Sequence, residues 1–158
     1  MGILRGYGPP VVSGAHLEWI STAARAALGA VWIWAGLAKA ADPFATLLSV
    51  RGYQLLPEPA VQVVAFGLPF VEIAVGGLLL VGLIVRPLAV ASLLMLGMFV
   101  AAIASAWARG LSIDCGCFGA GTARGVYAGE MLRDGAFALL AVWLAVRPRS
   151  SLSLARRS

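Results

Sequence analysis

The sequence predicts an all-α fold: a bundle of four transmembrane helices, with a short interfacial helix after the first span and a Gly-rich CxC loop between spans three and four. Of the 158 residues, 61% are apolar and only 12% are charged, whereas soluble domains have about 45–50% and about 25%. The apolar residues form four runs, each long enough for the roughly 20 helical residues that cross a bilayer. Lipid offers no partner to backbone N–H and C=O groups, so such runs must be helices. We predict a single integral membrane domain over residues 1–158.

The predicted spans cover residues 17–38, 60–85, 87–108 and 126–146. The second and third spans meet at Arg86-Pro87, where we expect a tight turn. After the first span, Asp42 is a candidate N-cap and Pro43 suits the first position of a helix. The apolar run that follows ends near Gly52 and is too short to cross the membrane, so it predicts an interfacial helix.

The first run has one competing interpretation, because Ala38-Lys39-Ala40 is similar to the cleavage site of a secretory signal peptide. Signal peptides have an apolar core of about 7–15 residues. This run is longer and is interrupted by Glu18 and Arg25. We therefore interpret it as an uncleaved span.

The basic residues lie mostly at helix ends and in the C-terminal tail, which is typical of the positive-inside rule rather than of nucleic-acid binding. With a cytoplasmic N-terminus, six of them fall on the inner side and four on the outer side. The inner set is Arg5, Arg86, Arg147, Arg149, Arg156 and Arg157, and the outer set is Lys39, Arg51, Arg109 and Arg124. We predict a multi-pass protein of the bacterial plasma membrane, with both termini cytoplasmic and the CxC loop extracytoplasmic.

The only two cysteines, Cys115 and Cys117, lie in the stretch "SIDCGCFG". A disulfide that closes three residues gives about 1.6 kcal/mol in the chain-entropy model, against about 3 kcal/mol for a fifteen-residue loop, so stability is a poor reason for this pair. A strained, exposed disulfide exchanges readily. The pair therefore predicts a redox couple, for which the adjacent Asp114 either relays a proton or caps a turn.

Two other interpretations of the cysteines stay open. They are inert loop thiols, or they bind Cu(I), for which thiolates are suitable soft ligands. A zinc site needs four ligands, and the sole histidine, His16, is predicted at the opposite membrane face. We therefore assign no metal ligands.

Charged residues within the spans are the other candidate site. Glu72 lies near the middle of span two, where an unpaired carboxylate costs about 2.5–3.5 kcal/mol. We expect Arg25 to be its partner, because antiparallel spans place the two about 8 Å apart in depth. With Lys39 at the outer end of span one, these residues form either a structural clasp or a proton or quinone path. Arg133 in span four is a candidate to stabilise a thiolate or to bind a quinone carbonyl.

Several segments together resemble a known family. "AGLAKAADPF", "GYQLLPEPAVQVVAFGLPFVEIAVGGLLLVG", "DCGCFG" and "LRDGAFALL" are similar to the MauE branch of the MauE/DoxX family of redox-associated membrane proteins. The likeness runs from about Arg25 to about Val146, and its most specific element is the CGCFG turn. The residues that stand where the family pattern places them are Lys39, Asp42, Glu72, Cys115, Cys117, Phe118, Gly119 and Arg133.

The resemblance implies a four-helix membrane protein that works with secreted thiol-disulfide proteins. In methylamine users, it implies help in maturing a disulfide-rich periplasmic dehydrogenase. The family is also similar in architecture to quinone-linked thiol oxidoreductases such as the vitamin K epoxide reductase group, which makes quinone a candidate cofactor. Those enzymes use two cysteine pairs, whereas this chain has one, so a relay between two internal pairs is excluded.

We therefore hypothesise a membrane thiol-disulfide oxidoreductase. Cys115 and Cys117 exchange electrons with a secreted or membrane-anchored thioredoxin-like protein, or with another dithiol partner, and the electrons pass to or from quinone. The alternative is a non-catalytic subunit or maturation factor of a larger membrane complex.

Overall fold

The computed structural model describes residues 14–111 and 125–147, and these residues form five α-helices without a strand. The helices are α1 (Gly14–Ala41), α2 (Pro43–Gly52), α3 (Glu58–Val81), α4 (Val85–Ala108) and α5 (Gly125–Val146). The all-helical prediction is confirmed for this part of the chain. The predicted CxC loop, with Asp114, Cys115 and Cys117, lies outside the described residues.

Three of the helices, α1, α3 and α4, are long and apolar enough to cross a membrane. α5 coincides with the fourth predicted span and has 22 residues, but Glu130, Arg133 and Asp134 lie in its first half and lower its hydropathy. Large apolar side chains such as Phe70 and Leu94 are exposed on the outside of the bundle. Lipid solvates such a surface and water does not, so the fold is that of a membrane protein.

The interfacial-helix motif folds as the sequence predicts. The side chain of Asp42 caps α2, because its Oδ1 accepts a hydrogen bond from the backbone N–H of Ala45 at 2.9 Å. Pro43 takes the first helical position, and the helix ends at Gly52. The buried hydroxyl of Thr46 donates to the backbone carbonyl of Lys39 at 3.1 Å, which ties α2 back to the end of α1.

The turn between α3 and α4 lies two to four residues earlier than predicted. α3 ends at Val81 and α4 begins at Val85, so the predicted boundary at Arg86-Pro87 is wrong. Gly82 adopts φ 77°, a left-handed conformation that ends a helix at little steric cost in glycine. Pro87 lies in the first turn of α4, where a helix does not need its missing N–H.

α1 and α3 pack most closely at glycines. A Cβ atom on Gly36 would lie 2.7 Å from the carbonyl oxygen of Pro69, and one on Gly76 would lie 2.7 Å from that of Gly29. Real Cβ atoms do not approach backbone atoms so closely. Small residues allow such approach between membrane helices, and here they fix the register of α1 against α3.

This contact leads to a first prediction. Gly76→Ala will force the two backbones apart and lower the free energy of unfolding by about 1–3 kcal/mol, the usual cost of overpacking. The matched control is Gly77→Ala, because a Cβ there meets no atom within 4 Å. This control will be neutral or stabilising, since alanine is the better helix former by up to about 1 kcal/mol. Unfolding of the detergent-solubilised proteins measures both; equal stability of the two variants would contradict the proposed close contact.

Candidate functional site

A buried ion pair joins α1 to α3. The ammonium Nζ of Lys39 donates to both carboxylate oxygens of Glu72, at 2.9 and 3.0 Å. Lys39 is 6% exposed and Glu72 is fully buried. Removing two charges from water costs free energy unless they pair closely and hydrogen-bond to each other. The contact of Nζ with both carboxylate oxygens meets that condition.

The expected partner of Glu72 was Arg25, and that expectation is wrong. Arg25 precedes Lys39 by nearly four helical turns, or about 21 Å along the axis of α1. The error is one of register. Gly29 contacts Gly76 and Gly36 contacts Pro69, so in this antiparallel pair Lys39 lies level with about Phe66 and Arg25 lies level with about Leu80. Helical side chains lean toward the N-terminus of their own helix, so the side chain of Lys39 extends toward the level of Glu72 and reaches it, whereas that of Arg25 leans away.

A second group of charges lies on α5. The guanidinium of Arg133 donates to both carboxylate oxygens of Glu130, one of them at 3.1 Å. It also donates to Oδ1 of Asp134 through Nε at 3.2 Å and Nη2 at 3.1 Å. Asp134 is buried, and Glu130 and Arg133 are partly buried. One arginine therefore holds two carboxylates on the inward face of this helix.

The two groups of charges face one small cavity. Its walls include Lys39, Glu72, Arg133 and Asp134, together with apolar and aromatic side chains of α1, α4 and α5. The space is about 20 Å³, which is roughly what one ordered water needs, and its walls supply more than the two polar partners that such a water requires. We call Lys39, Glu72, Glu130, Arg133 and Asp134 the charged cluster.

Aromatic rings cover the apolar side of this cavity. The ring of Phe99 lies 5.7 Å from Nζ of Lys39, which is within the range of a cation–π interaction. Trp32 lies 6.2 Å from Phe99, centroid to centroid, and its indole Nε1 donates to the buried hydroxyl of Ser92 at 2.9 Å. These two aromatic side chains therefore form the part of the cavity wall that lies beside Lys39.

The structure therefore brings together three of the residues that the sequence identifies, namely Lys39, Glu72 and Arg133. Arg25 is buried elsewhere on α1 and does not line the cavity. The sequence analysis identified neither the aromatic wall nor Asp134 as part of this site. A signal for Asp134 existed, because an acid ten residues into an apolar helix needs a partner.

The ion pair leads to a second prediction. Lys39→Met leaves Glu72 buried without its cation and will lower the free energy of unfolding by about 3–5 kcal/mol. The double variant Lys39→Met/Glu72→Met will recover most of that loss, because apolar residues of similar volume often replace a buried pair without cost. Arg51→Met is the control: Arg51 pairs with Glu58 on the exposed surface, where ion pairs contribute little. A single Lys39 variant as stable as the Arg51 variant would argue against a buried pair.

Comparison with known proteins agrees with the resemblance seen in the sequence. The family model described as methylamine utilisation protein MauE matches residues 17–147, which include every member of the charged cluster. No curated protein and no solved structure gives a match. The family match takes in well over half of the chain, so the chain belongs to the family of the methylamine utilisation protein MauE.

Proposed function

We propose that the chain is a membrane thiol-disulfide redox protein whose Cys115/Cys117 pair exchanges electrons with a secreted or membrane-anchored thioredoxin-like protein or another dithiol partner. The observation that carries the proposal is the position of the charged cluster in the chain. The segment that holds both cysteines joins α4 to α5, and the first three turns of α5 supply Glu130, Arg133 and Asp134. Charges buried in a membrane protein are expensive and mark functional sites by default.

The proposed topology has four spans, with α5 as the fourth. α5 is about 33 Å long, enough to cross the hydrocarbon core. Its Arg133 and Asp134 line the cavity shared with the other long helices, and Glu130 pairs with Arg133. An even number of spans places both termini on one side, and the basic C-terminal tail assigns that side to the cytoplasm by the positive-inside rule, which leaves the cysteine segment outside. Disulfides persist in that compartment.

The chemical step is a balanced exchange. A thiolate of the partner attacks one sulfur of the Cys115–Cys117 disulfide, and the other cysteine leaves as a thiolate that takes up a proton. The second thiol of the partner loses its proton and attacks the mixed disulfide. The partner then holds a disulfide, Cys115 and Cys117 are two thiols, and two electrons and two protons have moved. The same steps run in reverse.

Quinone does not fit the cavity as the structure has it. The space suits a water molecule, and the cations Lys39 and Arg133 are both engaged by carboxylates. We derive no step through quinone, and its role stays a prediction. Asp114 stays a candidate proton relay for the same exchange.

Trapping of a mixed disulfide tests the exchange. In the Cys117→Ser variant, an attack on the partner by Cys115 cannot be resolved, so a covalent adduct will accumulate that is sensitive to thiol reductants. Cys115→Ser is the matched variant, and the pair together identifies the attacking cysteine. The double variant is the control and will give none. If neither single variant forms an adduct with a thioredoxin-like or other dithiol protein, and the purified wild-type couple never cycles, the redox proposal fails.

Labelling tests the proposed topology. A thiol reagent that cannot cross membranes will modify Cys115 and Cys117 in intact, reduced cells. A cysteine introduced for Arg86 in the Cys-free background is the control, because it lies beside the turn of residues 82–84 and so at the other end of α4. It will react only after the cells are opened. The reverse pattern would overturn the orientation.

The sequence resemblance implies one alternative, a maturation factor, and the matching family description names methylamine utilisation. In that role the cysteines would anchor or sense a client protein without turning over. Multiple turnovers with a reduced dithiol partner would exclude it. A Cu(I) site is the other alternative, and copper that purifies with the wild type but not with the Cys115→Ser/Cys117→Ser variant would support it.

A further inference from the structure

The charged cluster contains more acids than bases. Among the described residues, its members are two cations, Lys39 and Arg133, and three carboxylates, Glu72, Glu130 and Asp134. If all five were ionised, the cluster would carry a net charge of −1. One surplus negative charge would then lie in the interior of a membrane protein, among side chains that are buried or partly buried.

Among the described residues, no neighbouring helix adds a further charge to the lining of this cavity. α4 lines it with Leu96 and Phe99, and α1 adds only apolar and aromatic side chains beside Lys39. On α2, Asp42 caps its own helix, and Arg51 pairs with Glu58 on the surface. In the part of the chain that the structure describes, the surplus charge of the cluster is therefore not offset from outside.

Binding one proton removes that surplus. An isolated buried charge costs several kcal/mol, and a group in this position neutralises itself instead. Lys39 contacts both carboxylate oxygens of Glu72. Arg133 contacts the carboxylates of Glu130 and Asp134. The cavity lies between these two groups, and its room for about one water supplies a bridge along which a proton can pass from one to the other.

We infer that the charged cluster is a buried proton-binding site, which holds one exchangeable proton on its three carboxylates and shares it through water in the cavity. This site stands on the charges and geometry of the cluster. Its use by the dithiol rests in addition on the proposed function. Oxidation of two thiols to a disulfide releases two protons, and the cluster lies on the helix that follows the cysteine segment.

Infrared spectroscopy of the purified wild-type protein tests the proton directly. A protonated carboxylic acid has a carbonyl stretching band that is separate from carboxylate bands and shifts in D₂O. We expect this band at neutral pH, with the intensity of one acid per chain. Its absence from the wild type would overturn the inference, and this result needs no variant to fold.

Substitutions then test whether the charge balance sets the proton count. Glu72→Gln, Glu130→Gln and Asp134→Asn each remove the surplus charge, so each will abolish the band, whichever carboxylate carries the proton. Lys39→Met adds a surplus charge and will double the band. The double variant Lys39→Met/Glu72→Gln restores the wild-type balance and the wild-type intensity. Glu58→Gln is the matched control, because Glu58 is an exposed acid paired with Arg51, and it will leave the band unchanged. A band whose intensity is the same in the wild type and in the cluster variants would contradict a shared proton. So would a band that is lost in only one of the three acid variants.

A redox difference spectrum separates this site from the proposed function. Reduction of the disulfide by a phosphine will change the carboxylic-acid band in the wild type and not in the Cys115→Ser/Cys117→Ser variant. Cysteines that do not cycle while the neutral-pH band is present would defeat the proposed function and leave the proton site standing. Cysteines that cycle without any change in the band would defeat the coupling alone.

Discussion

The contact between α1 and α3 at Gly29, Gly36 and Gly76 sets the register on which the interior depends. Backbone atoms of each helix occupy the space that a side chain on the other would need. A slip of one turn, about 5.4 Å, in the direction that moves Lys39 away from Glu72 would separate the two side chains and leave each buried charge without its partner. The three glycines thus position Lys39 and Glu72 for their buried ion pair.

Stability alone does not account for the charged cluster. Replacing a buried ion pair by well-packed apolar residues is often neutral or favourable, and a membrane interior makes the charges more costly still. Nevertheless, five ionisable side chains converge where apolar ones would fold at least as well. The aromatic side chains of Trp32 and Phe99 pack against each other in the wall of the cavity, which leaves space for water beside the charges.

Hydropathy was sufficient to locate the long helices, and Asp42-Pro43 was sufficient to locate α2, because both signals are local in the sequence. The turn lies at residues 82–84 rather than at Arg86-Pro87, because Gly82 ends α3 and a proline fits the first turn of the next helix. The partner of Glu72 was missed for a non-local reason. Depth was estimated as though neighbouring helices began and ended level, whereas the glycine contacts offset α1 from α3. Nothing in one-dimensional spacing indicates which aromatic rings close the cavity.

α5 differs from the other long helices in how its charged and apolar residues are distributed, and this difference connects the cysteine segment to the charged cluster. Its apolar residues are concentrated after Asp134, and its charges lie in the turns that come directly after the cysteine segment. A helix selected only to cross lipid would gain nothing from that asymmetry. A helix that served a dithiol would gain from it, because disulfide chemistry moves protons with its electrons and a lipid-surrounded protein has few places to hold a proton. Since Arg133 and Asp134 also line the cavity beside Glu72, α5 is the element through which the cysteine segment and the buried ion pair can affect each other.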